Sequence, residues 1–242
     1  MEIHILNGDA LAEKFSLQGE IVVCREAMID GPVNAETEES FWRDRAKFIA
    51  GEFNKSIEEY HLLVVDELNR IKQSKANTFT LWFEHDLFCQ TNLWFVIDFI
   101  ARHRKSAQIF NVMPDPSNDL NWSGFGKMNS SDLVLCYHNR TLLSNDEKLL
   151  AVSLWDAYRK DDLKKLKQLS TTASSCFPKL VEVCQAHLDR NSAIQRPQRK
   201  LKSILAKGTT DFSEIFDQFR ETEAIYGFGD LQVKKLLSEI SS

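Results

Sequence analysis

Residues 79–90, FTLWFEHDLFCQ, decide the fold, because an unbroken apolar run stops there at three consecutive ionisable residues and an amphipathic pattern then begins. The apolar run predicts a strand buried on both faces, as in a parallel sheet covered by helices. The pattern from Leu87 to about residue 102 predicts a helix. The turn Glu84-His85-Asp86 therefore follows the C-terminal end of a strand, which is where open α/β sheets bind their ligands.

Three further segments predict strands of the same sheet. Residues 3–6 and 21–24 are short apolar runs that end in polar turns, and residues 108–113 form a fourth strand. Gly8 permits a tight turn after the first strand, and Asp9 can cap a helix that continues over Leu11, Phe15 and Leu17. Helices are predicted at 37–50 and 56–72. Residues 114–127 have no periodicity and predict a long loop over the same sheet edge, a place where functional residues are common.

The second half of the chain carries mainly helical signals. Residues 133–137 could be a strand, but we favour a helix from Ser130. Ser144 opens a capping box for a helix to about residue 159, and Pro178 suits the first turn of another. Three last helices are predicted at 198–207, 212–220 and 231–240. The predicted organisation is thus an α/β part with a mainly parallel sheet at 1–128, followed by an all-helical part at 129–242.

Composition limits the function classes. The 242 residues have a formal net charge of −5, which gives no overall attraction to nucleic acid or to anionic membranes. Five cysteines without paired close spacing favour a reducing, cytoplasmic location. The first residues enter a strand directly, so we expect no signal peptide. No apolar run approaches the roughly 20 residues of a membrane-spanning helix, so we expect no membrane association.

Polar residues follow all four predicted strands, and the carboxyl ends of parallel strands meet at one sheet edge. We therefore expect them to line one cleft. The candidate catalytic residues are Asp9, Glu84, His85 and Asp86. The candidate ligand-binding residues are Asn7, Gly8, Arg25, Glu26 and Asn111.

Two chemistries suit this set. Carboxylates with an imidazole can hold a divalent metal and lower the pKa of its bound water, or His85 can act as a general base beside a carboxylate. Arg25 would neutralise an anionic substrate. Simpler roles exist for single residues: Asp9 and Asp86 as helix N-caps, His85 as a donor to a loop carbonyl, and Arg25 with Glu26 as a local ion pair.

The function predicted from these residues is binding of a small polar or anionic ligand of the phosphate or nucleotide class, by a hydrolase or a transferase. The common dinucleotide, P-loop, zinc-protease, serine-hydrolase and CxxC motifs are absent from the sequence. The alternative is DNA binding by the C-terminal helices, since residues 190–207 hold six basic residues and no acid, among them Arg199, Lys200 and Lys202. A third alternative is dimerisation or docking of a partner protein through the helical half, with anchors at Phe212, Phe216, Phe219 and Tyr226.

Four motifs together resemble a bacterial family catalogued as domain of unknown function 1835. They are Asn7-Gly8-Asp9, Arg25-Glu26-Ala27 with Gly31-Pro32, the segment 82–90, and Trp122 to Gly126. Cys24 stands where the family commonly has an aromatic residue, and Phe125 replaces its usual leucine. The resemblance covers the α/β part strongly and the helical part more loosely. It implies motif boundaries and no particular reaction.

Overall fold

The computed structural model describes residues 1–53, 55–114, 122, 124–193 and 195–241, and its centre is a five-stranded sheet. The strands are β1 (Glu2–Asn7), β2 (Glu20–Cys24), β3 (Thr78–Trp82), β4 (Gln108–Val112) and β5 (Thr141–Leu142). They lie in the order β2-β1-β3-β4-β5, with β1 to β4 parallel and β5 antiparallel to β4. The predicted mainly parallel sheet is confirmed.

The strand order reverses between β1 and β3. From β1 the chain crosses to β2 on one side, and it later returns to place β3 on the other side of β1. Leu6 is in register with both Val23 and Trp82, so the carboxyl ends of the three strands lie side by side. A reversal of this kind opens a crevice at the carboxyl edge of a sheet, because the connections after the two strands leave in opposite directions.

The described residues of the first half form five α-helices: α1 (Asp9–Ala12), α2 (Glu38–Phe53), α3 (Ile57–Tyr60), α4 (Asp66–Gln73) and α5 (Leu87–His103). The helix predicted after Asp9 is only four residues long, and it does not reach Phe15 or Leu17. The single helix predicted at 56–72 contains a π-helical turn at His61–Val65, which joins α3 to α4. The helix predicted from Leu87 is confirmed as α5.

Seven α-helices follow in the part of the chain that the structure describes: α6 (Ser130–His138), α7 (Asn145–Arg159), α8 (Leu163–Leu169), α9 (Leu180–Asn191), α10 (Arg196–Leu205), α11 (Phe212–Glu223) and α12 (Asp230–Ser241). The choice of helix over strand at 133–137 is confirmed, as is the capping box at Ser144. The sequence did not predict α8, nor did it predict β5, which is too short for a periodic signal. Among the described residues after 129, strand β5 departs from the predicted all-helical organisation.

Alternation along the strands separates two hydrophobic clusters, one on each face of the sheet. Ile3, Ile5 and Leu81 face a large cluster that continues through α5 and α7 to the C-terminal helices. Leu6 and Trp82 face a smaller cluster with α1 and α6. Because the large cluster contains residues from both halves of the chain, the two predicted parts share one core.

The loop predicted at residues 114–127 and the question of a membrane-spanning helix remain to be compared with the structure. Most of the predicted loop, residues 115–121 and 123 with Asp119 among them, lies outside the described residues. Among the helices that the structure describes, none is both long enough and apolar enough to cross a bilayer. The described part of the chain thus contains no candidate membrane span.

Candidate functional site

A cavity of about 1150 Å³ opens at the crevice between β1 and β3. Its floor contains Asn7 at the end of β1, Glu84 and Asp86 just after β3, and Cys89 in the first turn of α5. The expected convergence of strand ends is thus present for Asn7, Glu84 and Asp86. Cys89 was overlooked as a site residue, because its apolar neighbours made it resemble a small core residue.

Asp86 and Cys89 are fixed to each other at the start of α5. The Asp86 side chain is the N-cap, and its Oδ1 accepts a hydrogen bond of 2.9 Å from the Cys89 backbone amide. The cap role suggested for Asp86 is therefore correct. Asn7 Nδ2 donates to Cys89 Sγ over 3.1 Å, and Asn7 Oδ1 accepts from Asn92 Nδ2 at 2.9 Å. The amide of Asn7 is consequently oriented with its donor towards sulfur.

Glu84 is held from two sides. Its Oε1 accepts a 2.6 Å hydrogen bond from the Phe125 backbone amide, and its backbone carbonyl accepts from Gln90 Nε2 at 2.7 Å. Burial and the neighbouring charge of Asp86 raise the pKa of Glu84 to about 7, against the lowering effects of the Phe125 amide and the Lys14 and Arg220 charges. The Glu84 carboxyl therefore changes charge near neutral pH.

Burial also shifts the two groups beside Glu84. The pKa of Asp86 is raised by burial, although the backbone amide of Cys89 acts against this. The pKa of the Cys89 thiol is raised well above its usual value by burial, and then by the charges of Asp86 and Glu84. One carboxylate oxygen from each acid and Cys89 Sγ all lie within 4.8 Å of one another. These three atoms form a set that could bind a metal ion.

Two glycines bring backbone directly against the two carboxyl groups. A Cβ on Gly124 would lie 1.9 Å from Glu84 Oε1, and a Cβ on Gly227 would lie 1.8 Å from Asp86 Oδ1. Gly227 also has φ of +64°, a left-handed conformation that suits glycine. Gly124 belongs to the predicted loop, whereas the role of Gly227 was missed. The only sequence signal for it is the spacing of Gly227 and Gly229 around Phe228.

The cavity walls come largely from the C-terminal helices. They carry aromatic rings from both halves of the chain: Phe88, Trp122, Phe216, Phe219 and Phe228. The basic residues in the lining are Lys127 and Arg220, both exposed, and the acidic ones besides the floor are Asp217, Glu221 and Glu223. Lys14 lies behind the wall, where its Nζ donates to the carbonyls of Phe125, Gly126 and Met128 at 2.5, 3.0 and 3.2 Å.

Asp9, Gly8 and Arg25 form a separate surface group and are not among the residues that line the cavity. Gly8, with φ of +88°, is the N-cap residue of α1, so the cap role expected of Asp9 is wrong. Asp9 instead accepts two hydrogen bonds from Arg25 Nε, at 2.9 and 3.0 Å. Arg25 Nη1 also donates to the Leu63 carbonyl in the π-helical turn, over 3.1 Å.

Glu26 does not reach the cleft, and its expected ion pair with Arg25 is wrong. Its carboxylate is buried against Arg45, whose Nη2 lies 2.5 Å from Oε2, and it also accepts a hydrogen bond from the Tyr60 hydroxyl. Asn92 Nδ2 donates to the Glu26 backbone carbonyl at 2.6 Å. Glu26 therefore joins the loop after β2 to α2 and α3 from inside the core.

His85 and Asn111 also lie away from the cavity lining. His85 is buried, and its ring hydrogen-bonds the Pro114 carbonyl, as the simpler reading of this residue proposed. Burial and the charge of Lys179 lower the pKa of His85. Asn111 Nδ2 donates to the Cys176 carbonyl at 3.0 Å, on the side of the sheet that faces the helical half. The expected cleft with an imidazole beside the carboxylates is therefore not formed.

The basic residues behind the DNA-binding alternative are partly engaged within the protein. Arg196 pairs with Glu223 at 2.8 Å, while Arg199 and Lys202 are exposed on α10. On α12, Lys234 pairs with Asp230 at 2.9 Å and Lys235 with Glu52 at 2.7 Å. These contacts on α10 and α12 give no support to DNA binding by the two helices.

Comparisons with known proteins found no family model, no curated protein and no solved structure that matches the chain. The resemblance to the family of domain of unknown function 1835 therefore stays a prediction.

Proposed function

We propose that the cavity binds a small planar ligand that carries an anionic group, and that the protein hydrolyses it or transfers a group from it. The observation that carries this proposal is the position of the cavity: about 1150 Å³ at the strand-order reversal, with Glu84 and Asp86 on its floor. The volume is at the upper end of small-molecule sites, which suits a ligand of nucleotide size.

The walls support a planar ligand. Trp122, Phe88 and Phe216 present rings to the cavity, and such faces bind flat rings with little loss of side-chain entropy. Lys179 Nζ lies 4.5 Å from the centre of the Trp122 ring, and the Arg220 guanidinium lies 5.5 Å from that of Phe216. Cations that rest on these rings hold them in place.

The rim supports an anionic group. Arg220 and Lys127 are exposed in the lining, so their charges are available to a ligand that enters from solvent. Their positions differ from that of Arg25, the residue proposed from the sequence for this role. The reaction would take place at the floor, where Glu84 and Asp86 lie, while the walls and rim supply most of the binding energy.

Isothermal titration calorimetry with adenosine monophosphate tests the proposal. Adenosine, which lacks the anionic group, and ribose 5-phosphate, which lacks the planar ring, are the comparison ligands. We expect adenosine monophosphate to bind more tightly than either. Arg220→Met should weaken its binding about tenfold, the size expected for a charged hydrogen bond. Lys207→Met, an exposed lysine outside the cavity, is the matched control.

Equal binding of the three compounds would refute recognition of a planar anion. An unchanged affinity in Arg220→Met would refute the assignment of the rim. Release of phosphate from p-nitrophenyl phosphate, measured with the Asp86→Asn variant beside the unmodified protein, examines the reaction separately. We expect release by the unmodified protein and a loss of at least tenfold in the variant, and no release at all would refute hydrolysis of aryl phosphates.

A further inference from the structure

We propose that Glu84, Asp86 and Cys89 hold a divalent transition metal ion of the zinc class at the floor of the cavity. This inference rests on the proposed function for the role of the metal, which is to stand between the floor carboxylates and an anionic ligand. The argument that the site exists depends only on the geometry of the three side chains.

The distances fit a compact coordination sphere. The candidate atoms, one oxygen from each carboxylate and Cys89 Sγ, lie within 4.8 Å of one another. Oxygen and sulfur ligands of a tetrahedral zinc ion stand roughly 3.5 Å apart, from metal–ligand distances of about 2.0–2.3 Å. Side-chain movements of about 1 Å therefore suffice to close the three atoms around an ion.

Neighbouring groups hold the three side chains in place. Glu84 Oε1 accepts from the Phe125 amide and Asp86 Oδ1 accepts from the Cys89 amide. The Cys89 thiol also donates to the Asp86 carboxylate, and metal binding would release that thiol proton. Asn7 Nδ2 donates to Cys89 Sγ at 3.1 Å. A donor aimed at sulfur stabilises a thiolate, and hydrogen bonds of this kind orient metal ligands in many proteins.

The donor set selects the metal class. One thiolate with two carboxylates suits zinc or cobalt, whereas magnesium and calcium prefer oxygen ligands alone. Three protein ligands leave one position of a tetrahedral ion for water or substrate, and here that position would face the cavity. This arrangement is the one found in catalytic sites and not in structural ones.

Charge agrees with this choice of ion. Metal binding requires the Cys89 thiol and both carboxyl groups to lose their protons, which leaves three negative charges where burial is high, and a divalent ion supplies the counter-charge. Lys14, the cation behind this wall, uses its Nζ on three backbone carbonyls. Arg220 and Lys127 lie at the exposed rim. A divalent ion at the floor would compensate the carboxylates and also attract an anionic ligand.

Titration of the metal-free protein with Co²⁺ tests the site without knowledge of the ligand. We expect one equivalent to bind and to produce the near-ultraviolet charge-transfer absorption of a cobalt–thiolate bond. Cys89→Ser should lose that band, while Cys184→Ser, a buried cysteine of α9 outside the cavity lining, should keep it. Glu84→Gln and Asp86→Asn should each weaken Co²⁺ binding at least tenfold.

X-ray absorption spectroscopy of the zinc-loaded, unmodified protein repeats the test without any variant, so poor folding of Cys89→Ser cannot obscure the result. One sulfur neighbour and at least two oxygen neighbours are expected. Absence of the cobalt band, its persistence in Cys89→Ser, or a zinc shell without sulfur would each overturn the inference. If adenosine monophosphate binds but Co²⁺ does not, the metal site is refuted and the proposed ligand stands. If Co²⁺ binds but adenosine monophosphate does not, the proposed ligand is refuted and the metal site stands.

Discussion

Replacement of Gly227 with alanine places a methyl group against Asp86 and tests how the cavity is closed. The new Cβ would lie 1.8 Å from Asp86 Oδ1 and 2.4 Å from Cγ, so the carboxyl group must move. The movement breaks the bond from the Cys89 amide to Asp86 Oδ1, and loss of an N-cap costs about 0.5–2 kcal/mol. The left-handed backbone at φ of +64° adds about 1–2 kcal/mol. We expect Gly227→Ala to lower the free energy of unfolding by about 1.5–4 kcal/mol.

The control for backbone strain is Gly208→Ala. Gly208 has φ of +89°, and an added Cβ there would meet nothing within 4 Å. We therefore expect the cost of Gly208→Ala to be limited to the strain of about 1–2 kcal/mol. Urea unfolding of both variants gives the comparison, provided that the dependence on urea concentration is the same as in the unmodified protein.

A double-mutant cycle separates the contact with Asp86 from all other effects of the substitution. In an Asp86→Ala background the obstructing carboxyl group is gone, so the cost of Gly227→Ala should fall towards that of Gly208→Ala, and the remaining difference reflects the 3.0 Å approach of the new Cβ to Phe88 Cβ. The reasoning is refuted if Gly227→Ala and Gly208→Ala cost the same in the unmodified protein. It is refuted equally if the cost of Gly227→Ala does not fall in the Asp86→Ala background.

Two further predictions concern charged groups away from the floor. Glu26→Gln should lower the free energy of unfolding by about 3–5 kcal/mol, since it leaves Arg45 buried without its partner, whereas Arg25→Met on the surface should cost less than about 1 kcal/mol. Equal costs in urea unfolding would contradict the burial of the Glu26 pair. Burial, with a smaller effect of the Arg190 charge, lowers the pKa of His187 from 6.5 to about 4. Below pH 6.5 the unfolded chain protonates His187 while the folded protein does not, so the folded state loses stability as the pH falls from 6.5 towards 4. Between pH 7 and 5 this should remove about 2 kcal/mol of stability, and the pH dependence of unfolding in His187→Gln should lack that component.

The strands and the site edge could be predicted because they depend on local patterns. Short apolar runs that end in polar or turn-forming residues predicted β1 to β4, and the polar turns predicted the position of Asn7, Glu84 and Asp86. Helix caps are local as well, which is why Ser144 and Asp86 were assigned correctly. A pattern of this kind needs only neighbouring residues in the chain.

Side-chain direction could not be predicted, because it depends on partners far away in sequence. Glu26 follows a strand end as Arg25 does, yet the buried guanidinium of Arg45 and the hydroxyl of Tyr60 draw its carboxylate into the core. The approach of Gly227 to Asp86 joins positions that are far apart in the chain. No periodicity records such a contact, so the cavity walls were missed.

The closure of the floor by Gly227 also has a consequence for the order of events during synthesis. Glu84, Asp86 and Cys89 leave the ribosome long before Gly227, and the sheet can pair while the wall is still untranslated. The floor therefore stays open to solvent, metal ions and chaperones until the segment around Phe228 has emerged. A nascent chain stopped before that segment would expose Glu84, Asp86 and Cys89 to solvent, so the floor is enclosed only once the segment around Phe228 packs against it.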